Sequence, residues 1–403
     1  MKDAYPDVVR RLIAAGPNVG GAEYLVSLDP DDIIAAAIGA TGLDDFGEPT
    51  WEEPFRTLLA SLHNESKLHA VGRLMCRNDV LRHLQTRLRV IDAVKRDPSI
   101  TQEQVLAPVV ITGPARSGTT ILQELLALDP ALQGPLAWRM AHPFEDERAA
   151  NWAESEFDLW GDVYPPFKAI HELNAHLPEE CLWLMAPEFD LGLWSACVEI
   201  PSFMAYRAVT DPVPTYRFHR LMLQVLQSTS GVRRPWALKS PVHLGRLPAL
   251  FAVYPDARII LTHRDPAKTV PSMVSTVAAG RWVRSDDVDT VSLTATAGMG
   301  LGFMLGAIVE QRRDGTLPVD QIADFHYMDF LRDPVGAIKG AYDQLGMPFA
   351  AEFPDRIRNY LDNRPQDKHG VHKYSAADFG LDPAQIRKDF GVYIEANGVE
   401  LED

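Results

Sequence analysis

The sequence predicts a three-layer α/β fold on a parallel sheet, with a helical N-terminal region and a helical insertion over the strand ends. Three observations carry this. The apolar runs Ala107 to Thr112 (APVVIT), Trp236 to Lys239 (WALK) and Ala257 to Thr262 (ARIILT) each pass through a short turn into a helical pattern. Strands that alternate with helices form parallel sheets covered on both faces, so they read as unbroken apolar stretches. Residues before 104 and between about 140 and 230 instead show helical spacing or no strand rhythm.

Residues 1–104 are expected to be a helical region packed on the core. Phe55, Leu58, Leu59 and Leu62 recur at i, i+3, i+4 and i+7, and Leu81, Leu84, Leu88 and Ile91 mark one face of a later helix. Asp97-Pro98 punctuates its end. The α/β domain is placed at 105–403. Its insertion, rich in Trp, His and Pro, is expected to supply an acceptor pocket and lid. Ligands of such folds bind at the carboxyl ends of the strands.

Bulk properties exclude several functions. A formal charge of −16 argues against nucleic-acid binding and against docking on an anionic membrane by charge. Cys76, Cys181 and Cys197 form no C-x-x-C pair, which suggests neither a disulfide framework nor a thiolate metal site. The opening MKDAYPDVVRRLIAAG lacks the apolar core of a signal peptide, so a cytoplasmic location is expected. Thr290 to Val309 carries no charge and is long enough to span a bilayer, but Gly298, Gly300, Gly302 and Gly306 dilute it. A buried core helix or a cavity wall is expected there, without stable membrane insertion. Homo-oligomerisation is left open.

Gly113-Pro114-Ala115-Arg116-Ser117-Gly118-Thr119-Thr120 lies between a strand and a helix with the spacing of a phosphate-cradling loop. Backbone N–H groups of such a loop, and the positive end of the helix it opens, meet an anion. Thr119 stands where an ATP-binding loop carries its Lys, which argues against a nucleotide-hydrolysing enzyme or kinase. Positive charge enters the loop as Arg116 instead. Further on, Arg264 follows the strand ARIILT and Ser272 lies eight residues later. A guanidinium and a hydroxyl at a helix start suit a second phosphate.

The two motifs in this order resemble the family of sulfotransferases that use 3'-phosphoadenosine 5'-phosphosulfate (PAPS). The resemblance spans roughly residues 105 to 390. It is nearest to a bacterial branch with a K-S-P-x-H element, here Lys239 to His243. It implies a P-loop-type fold, PAPS as donor with no metal, and a 5'-phosphosulfate site at Ala115, Arg116, Ser117, Gly118, Thr119 and Thr120. It also implies a 3'-phosphate site at Arg264 and Ser272, and an adenine contact at Tyr327. A basic loop with Lys368, His369 and Lys373 would fold over the 3'-phosphate. The partners implied are PAPS, the product adenosine 3',5'-bisphosphate (PAP), and a hydroxyl-bearing (less favourably amine-bearing) acceptor of lipid, glycolipid or phenolic type.

For the chemistry, Lys239 is expected to stabilise the leaving oxygen. Relatives place a base His two residues after this Lys, where Pro241 stands here, or a Glu about twenty residues after the phosphate loop, where Trp138-Arg139 stand. His243 therefore ranks first as base, because imidazole titrates near neutrality, and Glu180 second; Glu179, His171 and His176 remain. Trp138, Trp152, Trp160, Trp183 and Trp194 would wall an apolar acceptor cavity or fill the core. Two competing readings are a degenerate PAPS-binding or PAP-binding scaffold and an ATP-dependent phosphotransferase.

Overall fold

The structure, a computed structural model, describes residues 4–170, 173–363 and 375–402. His171 and the basic stretch holding Lys368, His369 and Lys373 lie outside the described residues. Four strands, β1 (Val109–Thr112), β2 (Ala237–Lys239), β3 (Arg258–His263) and β4 (Ile322–His326), form one sheet in the order β2-β1-β3-β4. All three pairings are parallel, with Ile111 beside Lys239 and Ile260, and His263 beside His326. The three apolar runs expected as strands are β1, β2 and β3, while β4 begins the stretch that leads to Tyr327.

Alternation along the strands creates the layers. Val110, Leu238, Ile259 and Leu261 enter one core with Leu223, Leu250 and Phe189. Val109, Ile111, Ala237, Ile260 and Ala323 enter a second core with Leu122, Leu125, Ile338 and Tyr342 from helices on the opposite face. Both faces are thus sealed, which is what parallel strands with helical crossovers require.

Helices Glu52–Asn64 and Ala70–Arg96 carry Phe55, Leu58, Leu84 and Leu88 into the first core. A buried ion pair ties this N-terminal region to the insertion, Arg87 Nη1 lying 2.6 Å from Glu188 Oε1. Burial lowers the Arg87 guanidinium and raises the Glu188 carboxyl from their ordinary values, and each partner offsets part of that cost for the other. The insertion comprises helices Ala149–Val163, Pro201–Val209 and Val213–Ser230 with short turns between them.

Two expectations are corrected. Helix Thr290–Arg313 is not a core helix: it packs along one side through Leu301, Leu305 and Ile308, whereas Val291, Met299 and Phe303 are exposed. Only 22% of its most apolar window is buried, and by length and composition alone it is the one described helix able to cross a membrane. The tryptophans do not wall one cavity. Trp138 packs among Ala149, Ala150 and Ala153, Trp194 lies in the first core, Trp160 faces Phe167 and the Arg284 guanidinium, and Trp152 is exposed.

Candidate active site

The loop after β1 is shaped by two glycines. A Cβ on Gly113 would come within 2.0 Å of Thr262 Oγ1, and one on Gly118, whose φ is +87°, would lie 2.9 Å from Tyr327 Cδ2. Both close approaches require glycine. Between them Arg116 takes φ 65°, a left-handed conformation unusual for a side chain of its size. Its side chain is exposed, and its carbonyl accepts a hydrogen bond from Arg264 Nη1 at 2.8 Å. Ser117 turns inward: its hydroxyl contacts the Pro114 carbonyl at 2.6 Å and Thr262 Oγ1 at 2.5 Å. Its side chain braces the loop, and its N–H donates to the same Pro114 carbonyl at 3.3 Å. Ala115 is half-buried, and Thr119 and Thr120 open helix Thr119–Leu126, with only Thr120 exposed.

Arg264 leaves the end of β3 and joins the second element to the first. Its guanidinium carbon lies 4.2 Å from the Tyr327 ring centroid, close enough for a cation–π contact. Its Nε and Nη2 form a two-pronged pair with Glu402, both at 2.8 Å. Asp265 caps the next helix, Pro266–Trp282, by accepting from the Ala267 N–H at 2.9 Å, and its other oxygen accepts from Arg387 at 2.6 Å. Burial alone would raise the Asp265 carboxyl, but these donors hold it below its ordinary value. On the same helix Ser272 is fully buried, and its hydroxyl has no hydrogen-bond partner among the described residues. An orphaned buried hydroxyl is uncommon, and it leaves Ser272 with a donor to offer a ligand.

Lys239 ends β2, next to the loop across β1. It is 1% exposed, with Nζ 2.9 Å from Glu180 Oε1 and 4.0 Å from Glu179 Oε1. Burial pulls the Lys239 ammonium down, and the Glu180 and Glu179 carboxylates more than offset this, so its net shift is upward. Glu180 Oε2 also accepts from Ser240 Oγ at 3.1 Å. The Glu179-Glu180 segment is pinned to the phosphate-loop helix, because Gln123 Nε2 donates to the Glu179 carbonyl at 2.9 Å. Glu180 remains 17% exposed, so one edge reaches solvent.

His243 sits elsewhere. It is 1% exposed, with Nε2 3.1 Å from Cys181 Sγ and Nδ1 2.9 Å from Tyr216 Oη. Burial pushes it down to about 4. Both nitrogens are engaged inside the core, so the geometry does not favour His243 as a base. His176 is exposed on the insertion surface.

Sequence reasoning missed Asp265, Arg387 and Glu402. Asp265 had a signal, an Asp before a Pro that starts a helix. Glu402 had none. Also missed was the layer beneath Arg264, where His263 Nε2 contacts Asp324 at 2.8 Å and Asp324 pairs with Arg312 at 2.8 Å.

The comparisons agree with this geometry. Residues 108–351, more than half of the chain, match the family model described as "Sulfotransferase family". The chain is 25% identical over 284 residues to the omega-hydroxy-beta-dihydromenaquinone-9 sulfotransferase Stf3 of Mycobacterium bovis, covering 68% of this chain and 69% of that protein. Sulfotransferase STF1 from Mycobacterium tuberculosis superposes with a TM-score of 0.78 at 27% identity, covering 90% of this chain and 98% of that one. Sulfotransferase STF9 from Mycobacterium avium superposes with a TM-score of 0.82 at 25% identity, covering 93% and 97%. A parallel sheet, a glycine-shaped anion loop at its carboxyl edge and a family match across that whole region lead to one conclusion: this chain belongs to the sulfotransferase family.

Proposed function

We propose that this protein transfers a sulfuryl group from PAPS to a hydroxyl of an apolar small-molecule or lipid acceptor. The observation that carries this is the convergence of the Gly113–Gly118 loop, Arg264 with the partnerless Ser272 hydroxyl, and the Lys239–Glu180 pair at neighbouring strand ends. The residues present fit a donor with two separated phosphates. Ala115 to Thr120 would hold the 5' group through backbone N–H groups, Arg264 and Ser272 the 3'-phosphate, and Tyr327 the adenine. The donor supplies an electrophilic sulfur and a good leaving group.

Glu180 replaces His243 as the proposed base. The reaction forms a bond from acceptor oxygen to sulfur, breaks the bond from sulfur to the 5'-phosphate oxygen, and releases the acceptor proton. Glu180, whose carboxylate contacts Lys239 at 2.9 Å, takes that proton. Neutralising Glu180 then frees the Lys239 ammonium to face the charge developing on the leaving oxygen. A carboxylate and an ammonium in contact thus exchange partners during one step. A hydroxylated, apolar acceptor is supported by the relative whose name specifies an omega-hydroxylated menaquinone.

Titration calorimetry with PAP, 5'-AMP and ATP, with and without EDTA, tests the donor. PAP is expected to bind about 10²-fold or more tighter than 5'-AMP regardless of EDTA, since each charge-assisted hydrogen bond contributes about 1.5–3 kcal/mol. Equal affinities would overturn the reading, and ATP binding that needs magnesium would favour a phosphotransferase. Tight PAP binding with no turnover of labelled PAPS on any hydroxylated acceptor would identify a scaffold.

A further inference from the structure

We infer that Glu402 is a displaceable carboxylate that occupies the 3'-phosphate fork of Arg264 and thereby sets the affinity for 3'-phosphorylated nucleotides. This rests on the assignment of Arg264 to the 3'-phosphate. Arg264 is the residue whose guanidinium must turn a donor edge toward that phosphate. In the structure its Nε and Nη2 edge is filled by both oxygens of Glu402 at 2.8 Å, and its Nη1 by the Arg116 carbonyl at 2.8 Å. The pair is sheltered, with Arg264 19% and Glu402 12% exposed.

Glu402 is placed there by its backbone. Its N–H donates to Asp265 Oδ2 at 2.9 Å, and its carbonyl accepts from Arg387 Nη2. Asp265 and Arg387 are themselves paired, so these two residues fix the segment while the Glu402 side chain reaches Arg264. A guanidinium fork accepts a carboxylate or a phosphate in the same two-pronged manner. The two anions cannot share one edge, because the phosphate would stand at hydrogen-bond distance from a carboxylate of like charge. Binding a 3'-phosphate through this two-pronged edge therefore requires the Glu402 side chain to swing away.

The consequence is a selective penalty. When the competent state holds about a tenth of the population, apparent affinity falls about tenfold. A nucleotide without a 3'-phosphate does not meet Arg264 and escapes the penalty. Glu402 thus weakens PAP retention, which favours product release, without touching the 5' site.

The experiment titrates PAP and 5'-AMP against the full chain as wild type, Glu402→Gln, Glu402→Ala, Arg264→Ala and the Glu402→Gln/Arg264→Ala double variant, with circular dichroism confirming folding. Both Glu402 variants are expected to tighten PAP about tenfold and leave 5'-AMP within about twofold. In the Arg264→Ala background the Glu402 change should have no effect. PAP binding that is unchanged or weaker in both Glu402 variants, with Arg264→Ala still losing the PAP preference, overturns this inference alone. An Arg264→Ala protein that keeps the full preference overturns the donor assignment as well.

Discussion

At the side proposed to hold the nucleotide, Arg116, Arg264 and Tyr327 each lie within four residues of the end of a strand, and the sheet itself brings them together. At the side proposed for the acceptor, Lys239 also ends a strand, but its partner Glu180 comes from 59 residues away in the insertion. The first half is assembled by local geometry repeated in parallel: strand, turn, helix, with the functional group in the turn. The second depends on how an irregular helical segment settles over the strand ends. That difference explains why motif spacing named the residues of one half directly and left the base in the other among several candidates.

The largest expected effect tests the acceptor half. Glu180→Gln should lower turnover about 10²–10⁴-fold, the range for losing a general base, with PAP affinity within a few-fold of wild type. Lys239→Ala should cost about 10²–10³-fold in turnover. Full activity in Glu180→Gln, measured with labelled PAPS, would return the base to another group.

A second test concerns the frame that holds the insertion. Arg87→Ala leaves the Glu188 carboxylate buried without its partner, and urea unfolding should report a loss of about 3–5 kcal/mol. An effect below about 1 kcal/mol would mean the insertion does not depend on this pair.

Next in size, Arg264→Ala should remove most of the preference for PAP over 5'-AMP, about 1.5–3 kcal/mol for each charge-assisted hydrogen bond lost. If 5'-AMP binding falls equally, the two phosphate elements are not separate and the modular picture of the nucleotide half breaks.

The smallest effect distinguishes a buried histidine from a catalytic one. Burial lowers His243 to about 4 in the folded chain, against about 6.5 when unfolded. Between these values the unfolded state binds the extra proton, so the His243 contribution to stability is fully present above about pH 6.5 and is lost toward pH 4 by about 1.4 kcal/mol per unit. His69 and His142, also lowered to about 4 by burial, add to the same slope. His243→Gln should remove the His243 share of it in denaturation midpoints measured across pH while the pH dependence of turnover persists. Loss of that pH dependence with an unchanged stability slope would restore His243 as base.

Much was readable without coordinates. The runs APVVIT, WALK and ARIILT appear as adjacent parallel strands because each is apolar on both faces and feeds a helix. The Gly113–Gly118 loop, Arg264, Ser272 and Tyr327 could be named from sequence because the roles proposed for them depend on positions within one strand-turn-helix unit. Glu180 was named but ranked second, since nothing near it in the chain shows that Lys239 is its partner.

The chain by itself determined the sheet, the strand-end loops and the family, because backbone sterics and apolar periodicity act over a few residues. Tertiary structure alone decided three things. It exposed much of helix Thr290–Arg313, whose uncharged stretch to Val309 composition placed in the core, because burial depends on which elements arrive to cover a face. It sealed His243 between Tyr216 and Cys181 while leaving Glu180 partly exposed. It also seated Glu402 on Arg264 across 138 positions, a contact whose physical cause is complementary charge brought together by folding and absent from local spacing.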